Sequence, residues 1–481
     1  MGILSRGQAQ VLRLARFSGI DRAVAITLLA RGWTVLSGPF TLLLIAHFMT
    51  PQEQGFYYTF ASVLGLQIFF ELGLGQVLLQ FASHEKAALE WTPEGLLTGD
   101  PVSKDRLRSL LRGAVRWYAA AAVLMIAVVL PAGLFFFAQR PVEAAQLAWR
   151  TPWSLIVFAS AVILLLSPLQ AILEGCGLVA DVAMMRFLQS VIGSGTLWLC
   201  LCLGFRLYAA AALYLSISAW IAAWLWWKKR APLLDLVSGV TGGAAIAWRT
   251  EVWPLQWKVA ASWLSGYLIF QLFNPVLFAF HGPVAAGQMG MSLSLTGALG
   301  AVGMAWISTK APSFGVLIRQ KAYDRLDALF FPSLYQSTVV VCLGAAAVTI
   351  LVWSLSEFHH PWASRVIAPL PFGCFALATI LNHVVFAEAV YLRAHKEEPL
   401  LGTSVLFACC YTVSTLVLGR KYGASGMAFG YLAITVVGTG VITRIFMRNR
   451  RVWHAPASRA ASPEGLMTHA TPDDRNPDVR P

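Results

Sequence analysis

Charged residues are scarce in this chain of 481 residues, of which they make up 12%. An ordinary soluble domain is about one-quarter charged. Hydrophobic residues account for 57% of the chain. This composition suits a lipid environment rather than water, and it argues against a soluble globular domain.

Motifs for nucleotide hydrolysis and metal binding are missing. No Gly-x-x-x-x-Gly-Lys-Ser/Thr sequence occurs, so the chain has no phosphate-binding loop with which to hydrolyse ATP. The seven cysteines have no metal-ligand spacing with histidine and are interpreted as small buried hydrophobic residues. We therefore expect no cofactor, no metal site and no enzymatic activity. Any transport would draw on a gradient or on the substrate's own concentration difference.

The two ends of the chain carry no long apolar run. Residues 1–23 form a basic amphipathic lead-in, without the compact apolar core and small-residue cleavage site of a signal peptide. Residues 448–481 are rich in Pro, Ala, Asp and Arg and cannot bury enough apolar surface to fold. We predict a lead-in on the inner membrane surface and a disordered cytoplasmic tail.

Between the two ends lie about twelve apolar segments, each close to the roughly 20 residues that a spanning helix needs. They are continuously apolar, whereas the strands of a membrane barrel alternate. The sequence therefore predicts an all-α, polytopic membrane protein. The predicted segments are 24–48, 56–80, 114–137, 153–173, 184–204, 207–227, 257–280, 284–308, 333–355, 367–392, 400–419 and 424–447.

Two short sequences recur in the same order, which indicates an internal repeat. The turn at 50–55 (TPQEQG) is matched by 282–287 (GPVAAG), so that Pro51 and Gly55 correspond to Pro283 and Gly287 at an offset of 232. A second pair, LGFRLYA and LGRKYGA, is offset by 215. We predict two pseudo-symmetric six-helix lobes, 24–227 and 257–447, joined by a cytoplasmic linker at 228–256. Repeat-built transporters place their sites between such halves.

The basic residues are distributed unevenly along the chain. With both termini inside, 30 of the 36 Lys and Arg residues fall in cytoplasmic segments, which is the positive-inside bias. The net charge of +13 is therefore explained by orientation and by contact with membrane lipids, not by nucleic acid. The external loops are short, and the longer loops are cytoplasmic, at 81–113, 228–256 and 309–332. The last of these is predicted to form an amphipathic surface helix.

Polar side chains inside the apolar segments are the candidate site residues. Arg31 and Glu71 lie at similar depths, roughly 10 and 13 Å by a rise of 1.5 Å per residue. Arg31 can bind an anionic substrate or extend to the interface, and Glu71 can pair with Arg31 or titrate as an ion-coupling carboxylate. The uncharged candidates can line a cavity or bond between helices. They are Gln67, Gln271, Asn274 and His383. Asn274-Pro275 is predicted to bend the seventh segment.

Four short sequences resemble those of the bacterial polysaccharide (Wzx-like) flippases. These flippases belong to the multidrug, oligosaccharidyl-lipid and polysaccharide exporter superfamily. The sequences are 48–58 (FMTPQEQGFYY), 70–76 (FELGLGQ), 391–396 (YLRAHK) and 421–428 (KYGASGMA). The resemblance covers most of residues 20–447. It implies two six-helix lobes forming a V around a central cavity, and transfer of undecaprenyl-diphosphate-linked sugars between leaflets.

The expected function is therefore transfer of lipid-linked oligosaccharide units for O-antigen, capsule or exopolysaccharide across a bacterial inner membrane. We expect the protein to be a monomer that contacts membrane lipids. The polymerase and the chain-length machinery of the same polysaccharide pathway are its candidate protein partners. Three alternatives stay open. The chain could be a multidrug or peptidoglycan-precursor exporter of the same superfamily, a membrane glycan polymerase or ligase, or a non-catalytic scaffold. The short external loops argue against the enzyme.

Overall fold

The computed structural model describes residues 22–139, 147–238, 245–395 and 397–454. Most of the predicted lead-in and all of the predicted tail beyond residue 454 lie outside these ranges. The described start of that tail, up to Trp453, continues the last helix.

The first half of the chain consists of helices and one small hairpin. Its helices are α1 (Arg22–Phe48), α2 (Pro51–Leu64), α3 (Ile68–Glu71), α4 (Leu74–Lys86), α5 (Pro101–Ala138), α6 (Arg150–Gly175), α7 (Val179–Cys202) and α8 (Tyr208–Ser238). A single 3₁₀ turn, Gly65–Gln67, joins α2 to α3. The antiparallel strands β1 (Leu89–Trp91) and β2 (Leu97–Gly99) pair Leu89 with Gly99 and occupy part of the long loop predicted at 81–113.

The second half is also helical. It begins with a π-helical turn, Trp248–Val252, and includes a 3₁₀ turn at Pro361–Arg365. Its helices are α9 (Trp253–Phe270), α10 (Phe273–His281), α11 (Pro283–Arg319), α12 (Tyr323–Glu357), α13 (Pro369–Ala394) and α14 (Leu401–Trp453).

The number of membrane-spanning segments agrees with the sequence prediction. Ten described helices, with α9 and α10 taken together, are long and apolar enough to span a membrane, and the pair α2–α3 and α4, bent by 45°, makes an eleventh span. The 53 residues of α14 are two helices joined at a kink at Gly423, which makes twelve. The protein is therefore an all-α, polytopic membrane protein, as predicted.

Two breaks interrupt the segments that run beside the centre of the molecule. Leu72 and Gly73 are left-handed, with φ of 51° and 66°, and separate α3 from α4. The second break, at Gln271 and Leu272, precedes α10, where Pro275 occupies the first turn and needs no helical partner for its nitrogen. The helix is thus interrupted just before Asn274-Pro275, the position of the predicted bend.

The predicted amphipathic surface helix at 309–332 is wrong. Instead α11 continues to Arg319 and α12 begins at Tyr323, with a tight turn between them. The Ala322 amide donates to the Leu317 carbonyl across this turn at 3.0 Å, which closes the end of α11. The apolar residues there pack helix against helix, because Phe314 and Leu326 are fully buried in one cluster.

An aromatic cluster packs beside the starts of α2 and α11. Its rings are at most 2% exposed and belong to Phe56, Phe60, Phe137, Trp149, Trp153 and Phe278. Phe56 meets Phe278 edge to face at 5.0 Å, so the cluster joins the two halves of the chain. Because lipid tails are as apolar as these rings, close packing between the rings stabilises the cluster, rather than their removal from water. We call this end of the molecule, where α1 turns into α2 and α10 into α11, the joint end.

Candidate functional site

The two repeated turns pack directly against each other at the joint end. A Cβ atom added to Gly55 would overlap the carbonyl group of Pro283, and one added to Gly287 would lie 2.8 Å from the Gly55 nitrogen. Pro51 and Pro283 both occupy the first turn of their helices, where the missing N–H costs nothing. The sequence predicts equivalent joints, and the structure places them in contact.

A buried amide reinforces this contact between the halves. Gln54 is 1% exposed, and its Nε2 donates to the carbonyl oxygens of Gly287 at 2.8 Å and Arg365 at 2.9 Å. The Arg365 guanidinium donates back to Gln54 Oε1 at 3.4 Å. Burial lowers the pKa of Arg365, and the nearby carboxylate of Glu53 opposes part of that shift. Gln54 lies within the repeated turn at 50–55, but the repeat does not distinguish it from its neighbours, and Arg365 lies in no motif.

The local sequence explains why α2 begins where it does. Thr50 and Glu53 form a capping box: the Glu53 amide donates to Thr50 Oγ1 at 3.2 Å, and the Thr50 amide donates to Glu53 Oε2 at 2.8 Å. Arg206, on the turn before α8, lies 3.6 Å from the buried Glu53 carboxylate. The start of α2 is thereby held in the register that brings Gly55 against α11.

Farther along α2 lies a central cavity of about 540 Å³ lined by both halves of the chain. The first half contributes α2, and the second half contributes residues 270–274 of the α9–α10 break together with α11, α13 and α14. The cavity brings together three of the predicted site residues, Gln271, Asn274 and His383. Sequence reasoning missed several lining side chains, because isolated hydroxyls in apolar helices also serve packing. These are Tyr58, Ser62, Ser294, Thr296, Thr379 and Tyr431.

Asn274 bridges the halves inside this cavity. Its Nδ2 donates to Ser62 Oγ at 3.0 Å, while the Tyr267 hydroxyl donates to the Ser62 carbonyl at 3.2 Å. The Asn274 Oδ1 atom is buried and has no hydrogen-bond partner among the described residues. A buried acceptor without a partner costs about 1–3 kcal/mol, so this oxygen is available to a donor on a bound molecule.

His383 offers a second such atom. Its Nε2 lies 2.8 Å from Ser337 Oγ, and its Nδ1 is buried without a hydrogen-bond partner in the described part of the chain. Beside it, Asn382 Nδ2 donates to the Tyr431 hydroxyl at 3.0 Å. The polar lining therefore consists of amides, hydroxyls and one imidazole, set among aromatic rings.

The other three predicted site residues do not line this cavity. Glu71 ends α3 and accepts a hydrogen bond from the Tyr118 hydroxyl at 3.3 Å. Arg31 is half-buried on α1, and no ion pair within the described ranges joins it to Glu71. Gln67 is half-buried on the 3₁₀ turn. Arg31 and Glu71, which could pair according to their similar predicted depths, therefore have separate surroundings.

Comparison with known proteins adds evidence on the fold. No protein-family model matches the chain, and no curated protein matches it. Among solved structures, an inward-facing multidrug resistance MATE family transporter of the MOP superfamily superposes with a TM-score of 0.58 at 14% identity, covering 92% of this chain and 100% of that one. The lipid II flippase MurJ, in an inward closed conformation, gives 0.56 at 10% identity, covering 89% and 90%.

A MOP superfamily transporter from Pyrococcus furiosus gives a TM-score of 0.54 at 15% identity, covering 91% of this chain and 97% of that one. Similarity at this level of identity defines the fold, while function depends on the site built on it. The chain accordingly has the fold of the MOP superfamily transporters.

Proposed function

We propose that this protein is a flippase that moves undecaprenyl-diphosphate-linked oligosaccharide from the inner to the outer leaflet of the bacterial inner membrane. The observation that carries the proposal is the uncharged polar cavity between two halves with the MOP transporter fold. Both termini are proposed to be cytoplasmic, from the distribution of Lys and Arg.

The chemistry of the cavity suits a sugar. Sugar hydroxyls are donors and acceptors at once, so they can satisfy both the Asn274 Oδ1 acceptor and the His383 ring nitrogen. The aromatic rings of Phe273, Phe375 and Tyr431 lie in T-shaped or tilted contact with one another along the wall. A mostly apolar wall with a few placed polar groups is typical of a small-molecule site.

The joint-end contacts define one gate of an alternating-access cycle. Gln54, Gly55 and Gly287 close the halves against each other at the end that is proposed to face the periplasm. Substrate would enter from the cytoplasmic side and leave after these contacts separate. Arg31 remains the proposed contact for the diphosphate, reached as the halves move.

Two other substrates of this fold are alternatives. The likeness to the lipid II flippase MurJ favours a peptidoglycan precursor, which also combines a prenyl diphosphate with sugars. The likeness to MATE transporters favours a multidrug exporter. The amide and hydroxyl lining fits the first of these better, because a cationic drug would require a carboxylate to offset its buried charge.

Reconstituted vesicles test the proposal. The purified chain is placed in vesicles with a fluorescent lipid-linked oligosaccharide, and a membrane-impermeant quencher measures how much probe changes leaflet. We expect transfer that depends on the protein and is reduced about tenfold by Asn274→Leu, which removes the amide; the lost amide contacts account for about 1.4 kcal/mol.

Thr415→Val is the matched control, since Thr415 is 4% exposed on α14 but does not line the cavity. Equal rates with and without protein would exclude this flippase activity. Transfer of a fluorescent lipid II, without transfer of the oligosaccharide probe, would assign the chain to the peptidoglycan alternative. A lipophilic cation transported in place of both would assign it to the multidrug class.

A further inference from the structure

A second cavity, of about 920 Å³, lies at the end of α5 away from the joint end. It is formed between residues 109–117 of α5 and residues 245–256, which lead into α9 and form its first turn. We call it the α5–α9 cavity. Its walls are Ser109, Arg112, Gly113, Arg116, Trp117, Ala245, Trp248, Arg249, Trp253 and Gln256.

Three arginines line the α5–α9 cavity, and the described residues of its lining include no carboxylate. Arg116 and Arg249 are exposed, and Arg112 is held in place by donating from Nε to the Val237 carbonyl at 2.9 Å. The central cavity, in contrast, is lined by uncharged groups. The two cavities therefore differ in the ligand chemistry that they can accept.

Nearby carboxylates are engaged by other basic residues. Glu251 lies 2.6 Å from Arg106, whose Nε is 2.8 Å from Glu85. Asp235 lies 2.9 Å from Lys104 and 3.2 Å from Arg108. These ion pairs tie the start of α5 to α4, α8 and the π-helical turn, and they hold the cavity walls in position.

A buried amide in the same wall provides an independent indication of a ligand. Gln256 is 3% exposed, and its Nε2 has no hydrogen-bond partner in the described part of the chain. A buried donor without a partner costs about 1–3 kcal/mol, which an acceptor oxygen in the cavity would recover. The indole of Trp248 packs so closely on Gly113 that a Cβ atom there would overlap the ring, so the wall opposite is fixed.

We propose that the α5–α9 cavity binds the phosphate or diphosphate headgroup of a membrane lipid. Arginine guanidinium groups make planar, bidentate contacts with phosphate, and the Gln256 amide adds a neutral donor. Trp117 and Trp253 are 38% and 50% exposed, and amphipathic rings of this kind lie at headgroup level. Basic pockets between helices on the cytoplasmic side are known to hold anionic headgroups.

Two lipids carry this chemistry, a resident anionic phospholipid and the prenyl diphosphate carrier. Native mass spectrometry of the purified full chain can measure binding of phosphatidylglycerol and of undecaprenyl diphosphate, with undecaprenol as the uncharged reference. The test variant is the double substitution Arg116→Gln with Arg249→Gln. The matched control is Arg319→Gln with Arg325→Gln, two exposed arginines at the α11–α12 turn.

We expect the test variant to bind about tenfold more weakly, and Gln256→Leu to weaken binding without changing the charge, because each removes direct contacts to phosphate. The control should bind like the parent. Arg116→Lys with Arg249→Lys should retain an intermediate affinity, and an unchanged melting temperature in that variant shows that its affinity is not a consequence of misfolding.

If the test variant binds both anionic lipids more weakly than the parent, the cavity is a phosphate site that accepts a phospholipid. If only the affinity for undecaprenyl diphosphate is lowered, the cavity is a site for the prenyl diphosphate carrier. This is the one result that rests on the proposed function. Equal affinity in test and control variants, or equal weakening for undecaprenol, would overturn the proposal. The binding measurement requires no transfer of lipid between leaflets. A flippase assay that detects no transfer therefore would not contradict a positive binding result.

Discussion

Gly55 and Gly287, 232 positions apart in the sequence, face each other where α2 and α11 begin, and a Cβ atom on Gly287 would lie 2.8 Å from the Gly55 nitrogen. The backbone atoms of the two halves approach here without intervening side chains. The internal repeat thus has a physical consequence, because equivalent glycines allow equivalent helices to cross at their first turns.

Substitution at this crossing should separate the halves. Gly55→Ala places a Cβ atom on the Pro283 carbonyl, which cannot move like a flexible side chain, and overpacking of this kind costs about 1–3 kcal/mol. We expect a lower melting temperature in detergent for Gly55→Ala and Gly287→Val, with reduced transport. Gly195→Ala on α7, where the space is open, is the control. If all three variants had the melting temperature of the parent protein, the crossing would not require glycine at these positions.

Gln54→Leu should weaken the joint-end gate specifically. It removes the donor shared by the Gly287 and Arg365 carbonyls and leaves both oxygens without that partner, at about 1–3 kcal/mol in total. Spin labels on the two halves at the joint end should report a larger population of the separated state. Gln80→Leu, exposed on α4, should leave the distance distribution unchanged. Identical distributions in all three proteins would exclude Gln54 from gating.

Substitutions at Glu71 and Tyr118 can distinguish a structural hydrogen bond from a role of Glu71 in ion coupling. Glu71→Gln keeps an acceptor for the Tyr118 hydroxyl, whereas Tyr118→Phe removes the donor. If the carboxylate only accepts this bond, Glu71→Gln should retain transport at every pH, and Tyr118→Phe should lose about 0.5–1.5 kcal/mol of stability. Transport by Glu71→Gln that no longer responds to a proton gradient would identify a titrating carboxylate.

If Arg31 binds phosphate, its substitutions should reduce function in a defined order. Arg31→Lys should lower surface glycan in cells, and Arg31→Ala should lower it further, because lysine lacks the bidentate geometry. Membrane abundance must be matched between strains. Full function in Arg31→Lys would instead indicate a side chain that extends to the interface, where either cation suffices.

The orientation can be read by labelling single cysteines in a background without the seven native ones. A cysteine at Arg230 should react only after the membrane is permeabilised, and one at His360 should react in intact cells, because the Lys and Arg bias predicts that these positions lie on opposite sides. Labelling of both from outside would reject the orientation with both termini in the cytoplasm.

The membrane class, the twelve segments and the equivalent joints follow from the sequence, because apolar length and repeated turns are local properties that lipid enforces along the chain. Local patterns did not predict the turn at 320–322, since apolar residues that pack one helix on another have the same periodicity as a surface helix. The Phe314–Leu326 packing resolved that ambiguity.

The site depended on tertiary structure. Sequence named Gln271, Asn274 and His383, but their meeting in one cavity with Ser62 and Tyr431 requires α2, α10, α11, α13 and α14 to converge, and Arg31 and Glu71 separate for the same reason. Gly55 and Gly287 were equivalent in sequence and became a contact only through the crossing of α2 and α11. Composition fixes which segments enter the membrane, whereas side-chain packing between distant helices decides which polar groups share a cavity.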